Sequence, residues 1–129
     1  MMAQRIYVYP IINPANRVLT RLTRGLRVGE RRSAGRVTVS APREGQFSVE
    51  VQGDDGFPSE NFDFLRVDDP LSKGFYPFYG NGRGVPLHRD QRGGVKVDEW
   101  DREAYEWIRG RAERLVRGLM RRGRRRGRE

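Results

Sequence analysis

The stretch from Val97 to Glu129 constrains this chain most, because it reads as one long amphipathic helix whose apolar stripe the remaining residues must cover. Asp98 stands where an N-cap belongs. Glu99, Asp101 and Glu103 put negative charge on the first turns, the sign that the helix dipole favours there. Ala104, Trp107, Ile108, Leu115 and Leu119 follow three- and four-residue steps and form the stripe, with Arg109, Arg114, Arg117 and Arg121 mostly off it. From Asp98 to Arg122 such a helix is roughly 37 Å long at 1.5 Å per residue, enough to span a small domain. Arginines crowd its far end, again the favoured sign.

Upstream, the patterning alternates between strand and helix. Arg5-Ile6-Tyr7-Val8-Tyr9 is β-branched and aromatic, a short strand that Pro10 stops. Asn13-Pro14 reads as an N-cap followed by proline at the first helical position, and Val18, Leu19, Leu22 and Leu26 give a helix to about Arg27 with Gly29 to close it. Four aliphatics at this spacing point to core packing rather than to a basic surface helix. Arg36 to Ser40 and Gln46 to Val51 alternate as two strands joined by the five-residue turn Ala41-Pro42-Arg43-Glu44-Gly45. Phe47, Val49 and Val51 line one face of that hairpin and should receive Trp107, Ile108, Leu115 and Leu119. Gly53-Asp54-Asp55-Gly56 is a turn, and Phe62 to Val67 extends the sheet. From Asp68 to Gly94, prolines and glycines share the chain with Phe75, Tyr76, Phe78 and Tyr79. This predicts a long loop that orders on the domain or against a neighbour.

The expected fold is therefore α+β: a small antiparallel sheet, an N-terminal helix, a long aromatic and glycine-rich loop (68–94) and a long C-terminal helix. One domain spans 1–122, and 123–129 is a basic, flexible tail. Apolar residues make up only 36% of the 129, so the core is thin or a partner completes it. With no cysteine, disulfides and Cys-based zinc sites are excluded. No apolar run reaches the ~20 residues of a membrane span, and Met1 to Asn13 does not read as a secretion signal.

Charge is segregated. Residues 1–43 carry a net +8, residues 44–69 a net −7 and residues 70–129 a net +8, which leaves +9 overall. An acidic middle between two basic ends suits head-to-tail self-association, or nucleic-acid contact through the ends. Asp54, Asp55, Asp68 and Asp69, with the aromatics Phe75, Tyr76, Phe78 and Tyr79, are the candidate oligomer interface. Arg117, Arg121, Arg122, Arg124, Arg125, Arg126 and Arg128 are the candidate contacts to duplex DNA or an acidic protein, sequence-blind and salt-sensitive in the first case.

Other motifs carry less. Gly80-Asn81-Gly82-Arg83-Gly84 looks like a phosphate loop, but Val85-Pro86-Leu87 follows and no helix starts, so it reads as a turn. His88-Arg89-Asp90 stands without the other parts of a kinase site, and no serine lies in a nucleophile turn. The two Asp pairs lack the alternating spacing of a Ca²⁺ loop. No enzyme, cofactor, metal, small-molecule substrate or membrane partner is expected.

Ala41-Pro42-Arg43-Glu44-Gly45, with Phe47 two residues on, resembles the Ala-Pro-x-x-Thr-Gly-x-Leu turn of neck and tail-completion proteins of tailed bacteriophages, with Glu44 where threonine is usual. Tyr76-Pro77-Phe78-Tyr79-Gly80-Asn81-Gly82 is similar to that family's aromatic segment ending in glycine. The resemblance covers about Pro14 to Leu87. It implies a helix–sheet–helix subunit of a homo-oligomeric ring at the head–tail junction of a virion, contacting neighbouring virion proteins, without catalysis or cofactor. The competing expectation is a sequence-nonspecific nucleic-acid-binding module, ribosome- or chromosome-associated and cytoplasmic.

Overall fold

The structure, a computed structural model, describes the backbone of residues 4–128 and the side chains of residues 4–119. It is α+β, as the patterning implies. Six strands form one antiparallel meander in chain order: β2 (Arg31–Ala34), β3 (Val37–Arg43), β4 (Gln46–Val51), β5 (Glu60–Val67), β6 (Gly74–Gly80) and β7 (Arg83–Gly84). A second sheet has the order β1-β9-β8, from β1 (Arg5–Tyr7), β8 (His88–Arg89) and β9 (Val95–Asp98). Two helices, α1 (Ala15–Thr23) and α2 (Arg102–Arg128), pack on each other and on the meander, and a 3₁₀ turn (Glu99–Asp101) leads into α2.

The meander separates an apolar face from a polar one. Val39, Val49, Phe62 and Gly80 lie side by side across β3 to β6 and are buried. Ser40, Ser48, Asp63 and Tyr79 make the neighbouring row on the opposite face, where Ser48 donates to Asn61 at 3.1 Å. Period-2 alternation makes such a sheet one-sided. On the apolar side, Phe75 packs edge-on to Phe47 and Phe64, with ring centroids 6.2 and 6.4 Å away.

Residues 68–94 are not a loop. They contain β6, which pairs with β5 along its length and buries Phe75 and Tyr76 in the core, so these two aromatics belong to the core and not to an exposed loop. Pro77 hides the strand from sequence reading. It sits opposite Phe64 next to the register shift that follows Asp63, and a bulge is where a strand tolerates proline. Asn81-Gly82 then closes the β6–β7 hairpin with φ of 51° and 88°, the two-residue turn that Asn-Gly favours.

Several boundaries also move. The turn between β3 and β4 is only Glu44-Gly45. Ala41 is buried and exchanges backbone hydrogen bonds with Gly29 and Glu30, which keeps Ala41 to Arg43 in the strand. α1 ends at Thr23 because Gly25, at φ 73°, takes the left-handed position that stops a helix, so Gly29 is not the stop. Arg32 of β2 donates to the Leu22 and Arg24 carbonyls at 2.9 Å each and supplies cationic partners at that helix end. Pro14 holds the N-cap position of α1 without a side-chain hydrogen bond, and Asn13 does not cap. Asp98 does not cap α2 either: it closes β9, where it faces His88 at 3.3 Å and Arg5 at 3.5 Å.

The stripe of α2 is rotated from the expected one. Tyr105, Ile108, Ala112 and Val116 are fully buried, whereas Trp107 and Leu115 flank them, and the helix rests chiefly on β6 and α1 rather than on the β3–β4 hairpin. Residues 8–12 form a strap that stitches the parts together. Val8 N–H donates to Val95 in β9 (3.1 Å), Ile11 N–H to Phe75 in β6 (2.8 Å) and Ile12 N–H to Glu113 in α2 (3.4 Å). The Tyr105 hydroxyl donates to the carbonyl of Tyr9.

Two outcomes follow from this packing. A Cβ at Gly80 would fall inside contact distance of the Phe62 ring and 3.2 Å from Ile108, both fully buried. Gly80→Ala should therefore cost about 1–3 kcal/mol in a denaturant titration, the usual penalty of overpacking. Burial raises the pKa of the Tyr105 hydroxyl well above its ordinary value and raises that of Tyr76 in the same way. A raised folded pKa means full stability below the unfolded value of about 10 and loss as pH climbs through it, up to ~1.4 kcal/mol per pH unit for each such group. The denaturation midpoint should fall above about pH 10, and Tyr105→Phe, less stable at neutral pH, should show a shallower alkaline decline.

Candidate interaction surfaces

The four aspartates of the acidic middle do not share a face. Asp54 and Asp55 lie in the loop between β4 and β5. Asp68 and Asp69 follow β5 at its other end. The length of β5, eight residues, separates the pairs by roughly 23 Å at 3.3 Å per residue. Three of the four have partners within the chain: Arg36 pairs with Asp54, Arg66 with Asp68 at 3.4 Å, and Asp69 accepts from the Leu71 N–H at 3.1 Å.

The loop from Gly53 to Ser59 is compact. Asp54 and Phe57 exchange two backbone hydrogen bonds, of 3.1 and 3.0 Å, and Gly56 makes the reversal at φ 90°. This small closed turn pushes Phe57 outward, 74% exposed beside Asp54 and Asp55. A phenylalanine held at a loop tip has no partner in its own core, and its neighbours are acids.

A groove of about 430 Å³ lies between the strap and the β5–β6 turn. Tyr7 (60% exposed), Tyr9 (74%) and Leu71 (88%) stand along it with Pro10 and Pro70, and the buried Tyr76 forms part of its wall. Lys73 and Arg92 are exposed at its rim. The groove walls are braced from below. Ser72 donates to the Gly93 carbonyl at 2.7 Å, and the Tyr76 hydroxyl donates to the Ser72 carbonyl at 2.6 Å. Tyr7 donates to Asp90, which lowers the Asp90 pKa and raises that of Tyr7, while Asp90 also accepts from the Arg92 and Gly94 N–H groups. A second groove, between α1 and the end of β5, has a mixed lining: Asn16, Thr20, Thr23, Arg24, Arg66 and Asp68 with the buried Val67 and Phe75.

A third surface joins β7 to α2. The guanidinium of Arg83 lies 4.4 Å and that of Arg111 5.0 Å from the centroid of the Trp107 ring. Arg111 also reaches Glu60 at 3.8 Å, and Arg114 and Arg117 are exposed further along the helix. Cations held on an indole face are favoured by its quadrupole. Of the expected nucleic-acid contacts, only Arg117 is among the described side chains. Arg121, Arg122, Arg124, Arg125, Arg126 and Arg128 lie outside them.

Sequence reasoning therefore brought together residues that the fold separates, and missed Tyr7, Tyr9, Phe57 and Leu71. A signal existed for the tyrosines: in Tyr7-Val8-Tyr9, alternation around the buried Val8 turns both rings to the other side. Phe78 and Tyr79 are half-buried, Tyr79 on the polar sheet face. Among the described residues no three His, Cys, Asp or Glu side chains group as a metal site, and no helix is long and apolar enough to cross a membrane. Comparison with protein-family models, curated proteins and solved structures returns no match.

Proposed function

We propose that this protein is a structural subunit that assembles with copies of itself into a ring, of the kind found as neck, head–tail connector or tail-completion proteins of tailed phages. The supporting observation is that large apolar side chains remain uncovered at opposite ends of β5: Phe57 on an acidic loop, and Tyr9 and Leu71 beside a groove with a cationic rim. Patches at opposite ends of one molecule make head-to-tail contacts, which give rings when the rotation between copies closes. The resemblance of the β3–β4 turn and the aromatic segment to those phage proteins agrees with this reading and adds the virion setting. Light scattering across protein concentration, at low and high salt, tests it. A discrete multiple of the monomer mass, weakened by salt, is the expected result. A homogeneous monomer under every condition overturns self-assembly.

A second reading rests on the arginines around Trp107. Arg83, Arg111, Arg114 and Arg117 lie on β7 and α2 ahead of the six arginines from 121 onward. These favour sequence-blind contact with duplex DNA through phosphates. If so, each lost phosphate contact lowers the slope of log K against log salt by about 0.9. Arg114→Ser with Arg117→Ser should then reduce the slope by up to about two units, alike for unrelated duplexes, and removal of residues 121–129 should reduce it further. Unchanged binding in both variants would leave the arginines as a protein-binding surface.

A further inference from the structure

Phe57 of one copy and the tyrosine groove of another form a plug and its socket. Phe57 is the only large apolar group of the Gly53–Ser59 loop and is held out by the Asp54–Phe57 backbone pair, so it is presented rather than loose. Its flanks are Asp54 and Asp55, with Pro58 behind it. The socket has matching chemistry in the same order: an apolar slot between Tyr9, Pro10 and Leu71, then Lys73 and Arg92 at the rim. Asp69 and Asp90 also stand near that rim and stay charged, held by the Leu71 N–H and the Tyr7 hydroxyl of their own chain, so Lys73 and Arg92 must outweigh them for an acidic loop to be drawn in. The groove beside α1 presents no exposed aromatic: its apolar lining, Val67 and Phe75, is buried, and Asn16, Thr20, Arg24 and Asp68 surround it.

From these observations we infer that the Asp54–Pro58 loop of one copy docks in the groove between Tyr9 and Leu71 of the next, burying Phe57 and bringing Asp55 to Lys73 and Arg92, while Asp54 stays paired with Arg36 of its own chain. The inference rests on the assembly proposed above and names the contact that carries it. A chain cannot fill its own socket, because the loop and the groove lie at opposite ends of β5, roughly 23 Å apart at 3.3 Å per residue. The contact is thus heterologous, and each added copy presents a fresh loop and a fresh groove. One loop in one groove is a small interface, so association is concentration-dependent. The closing of a ring multiplies it through effective concentration. The buried phenylalanine supplies the anchor and the charges supply orientation and salt sensitivity.

Two surface variants test this in the full chain. Phe57→Ser removes the plug and keeps the groove, and Leu71→Glu spoils the groove with a charge that repels Asp54 and Asp55 while keeping the plug. Both residues are exposed, so circular dichroism and the thermal midpoint should match wild type. In sedimentation velocity, wild type should gain mass with concentration while each variant alone stays monomeric. An equimolar mixture of the two, taken well above the concentration at which wild type assembles because no ring can close, should give a one-to-one dimer and stop there, since only one intact plug and one intact socket remain. Asp55→Asn, which leaves the Arg36–Asp54 pair intact, should weaken wild-type association about two- to five-fold and flatten its salt dependence. If wild type assembles but either variant assembles as well as it does, or the mixture stays at monomer mass, the plug and socket are wrong and self-assembly stands. If wild type itself never assembles, both the assembly reading and this contact fall.

Discussion

The hydrogen bond from the Tyr105 hydroxyl to the Tyr9 carbonyl is the tie on which the rest of the molecule depends. It joins the first buried position of α2 to the middle of the strap, and the strap in turn holds both sheets through Val95 and Phe75. Besides the strap, the two sheets are joined by the short segment from β7 to β8, where Val85 N–H donates to the Phe78 carbonyl at 2.7 Å. The bond is part-buried, with its donor on the fully buried Tyr105, and a buried hydroxyl left unpaired costs about 1–3 kcal/mol, so the donor is not easily given up. Glu113 adds a second tie two turns along, since it accepts from Ile12 N–H while paired with Arg109 at 3.0 Å. A chain with few apolar residues thus gains order from a few well-placed polar bonds at the joint, and spends its aliphatics on Leu19, Val49, Ile108 and Val116, all fully buried.

The same joint shapes the surface. The Tyr9 carbonyl points inward to Tyr105 while its ring stands 74% exposed, so a residue whose backbone is fixed presents an aromatic face to solvent. Opposite it, the β5–β6 turn is fixed by the Ser72 and Tyr76 bonds. A groove whose two walls are both anchored to the core loses little freedom when it is filled, and that is the condition under which a small apolar contact yields useful affinity. What holds the strap down also holds the groove open, so the contact proposed there rests on the same bonds as the fold.

Much of this architecture was legible in the sequence, and the failures have physical causes. The α+β class, the β3–β4 pairing and β5 follow from period-2 alternation, and α1 and α2 from three- and four-residue spacing. β6 was lost because Pro77 and its flanking glycines read as breakers, although a bulge beside Pro77 lets the strand continue. The stripe of α2 was rotated because Tyr105 was left out of it and Trp107 put in. Trp107 is covered partly by the arginines Arg83 and Arg111 rather than by the sheet, and composition cannot show that. β2 is exposed throughout, so no hydrophobic pattern announces it. It exists because Arg31 to Ala34 pair with Val37 to Ser40 and because Arg32 finds the end of α1.

The candidate surfaces were the least legible, for a reason that is geometric. Charge blocks are properties of the sequence, but β5 carries its acidic neighbours to opposite ends, so Asp54 and Asp68 face different directions although fourteen positions apart. An acidic middle therefore does not make an acidic face. Exposure, in contrast, is legible only in three dimensions: Phe75 and Phe57 are the same residue type, yet one lies against Phe47 and Phe64 and the other stands at a loop tip. The difference comes from the backbone. β6 is paired on both sides, whereas the Asp54–Phe57 turn is closed on itself and can only project its side chain away from the sheet. A single exposed apolar side chain is ordinary, but Tyr7, Tyr9 and Leu71 gather along one groove, and grouped apolar exposure is what distinguishes a contact surface. The contact proposed above therefore lies where the protein's own core leaves off, at the loop tip and the tyrosine groove, and not along its runs of charge.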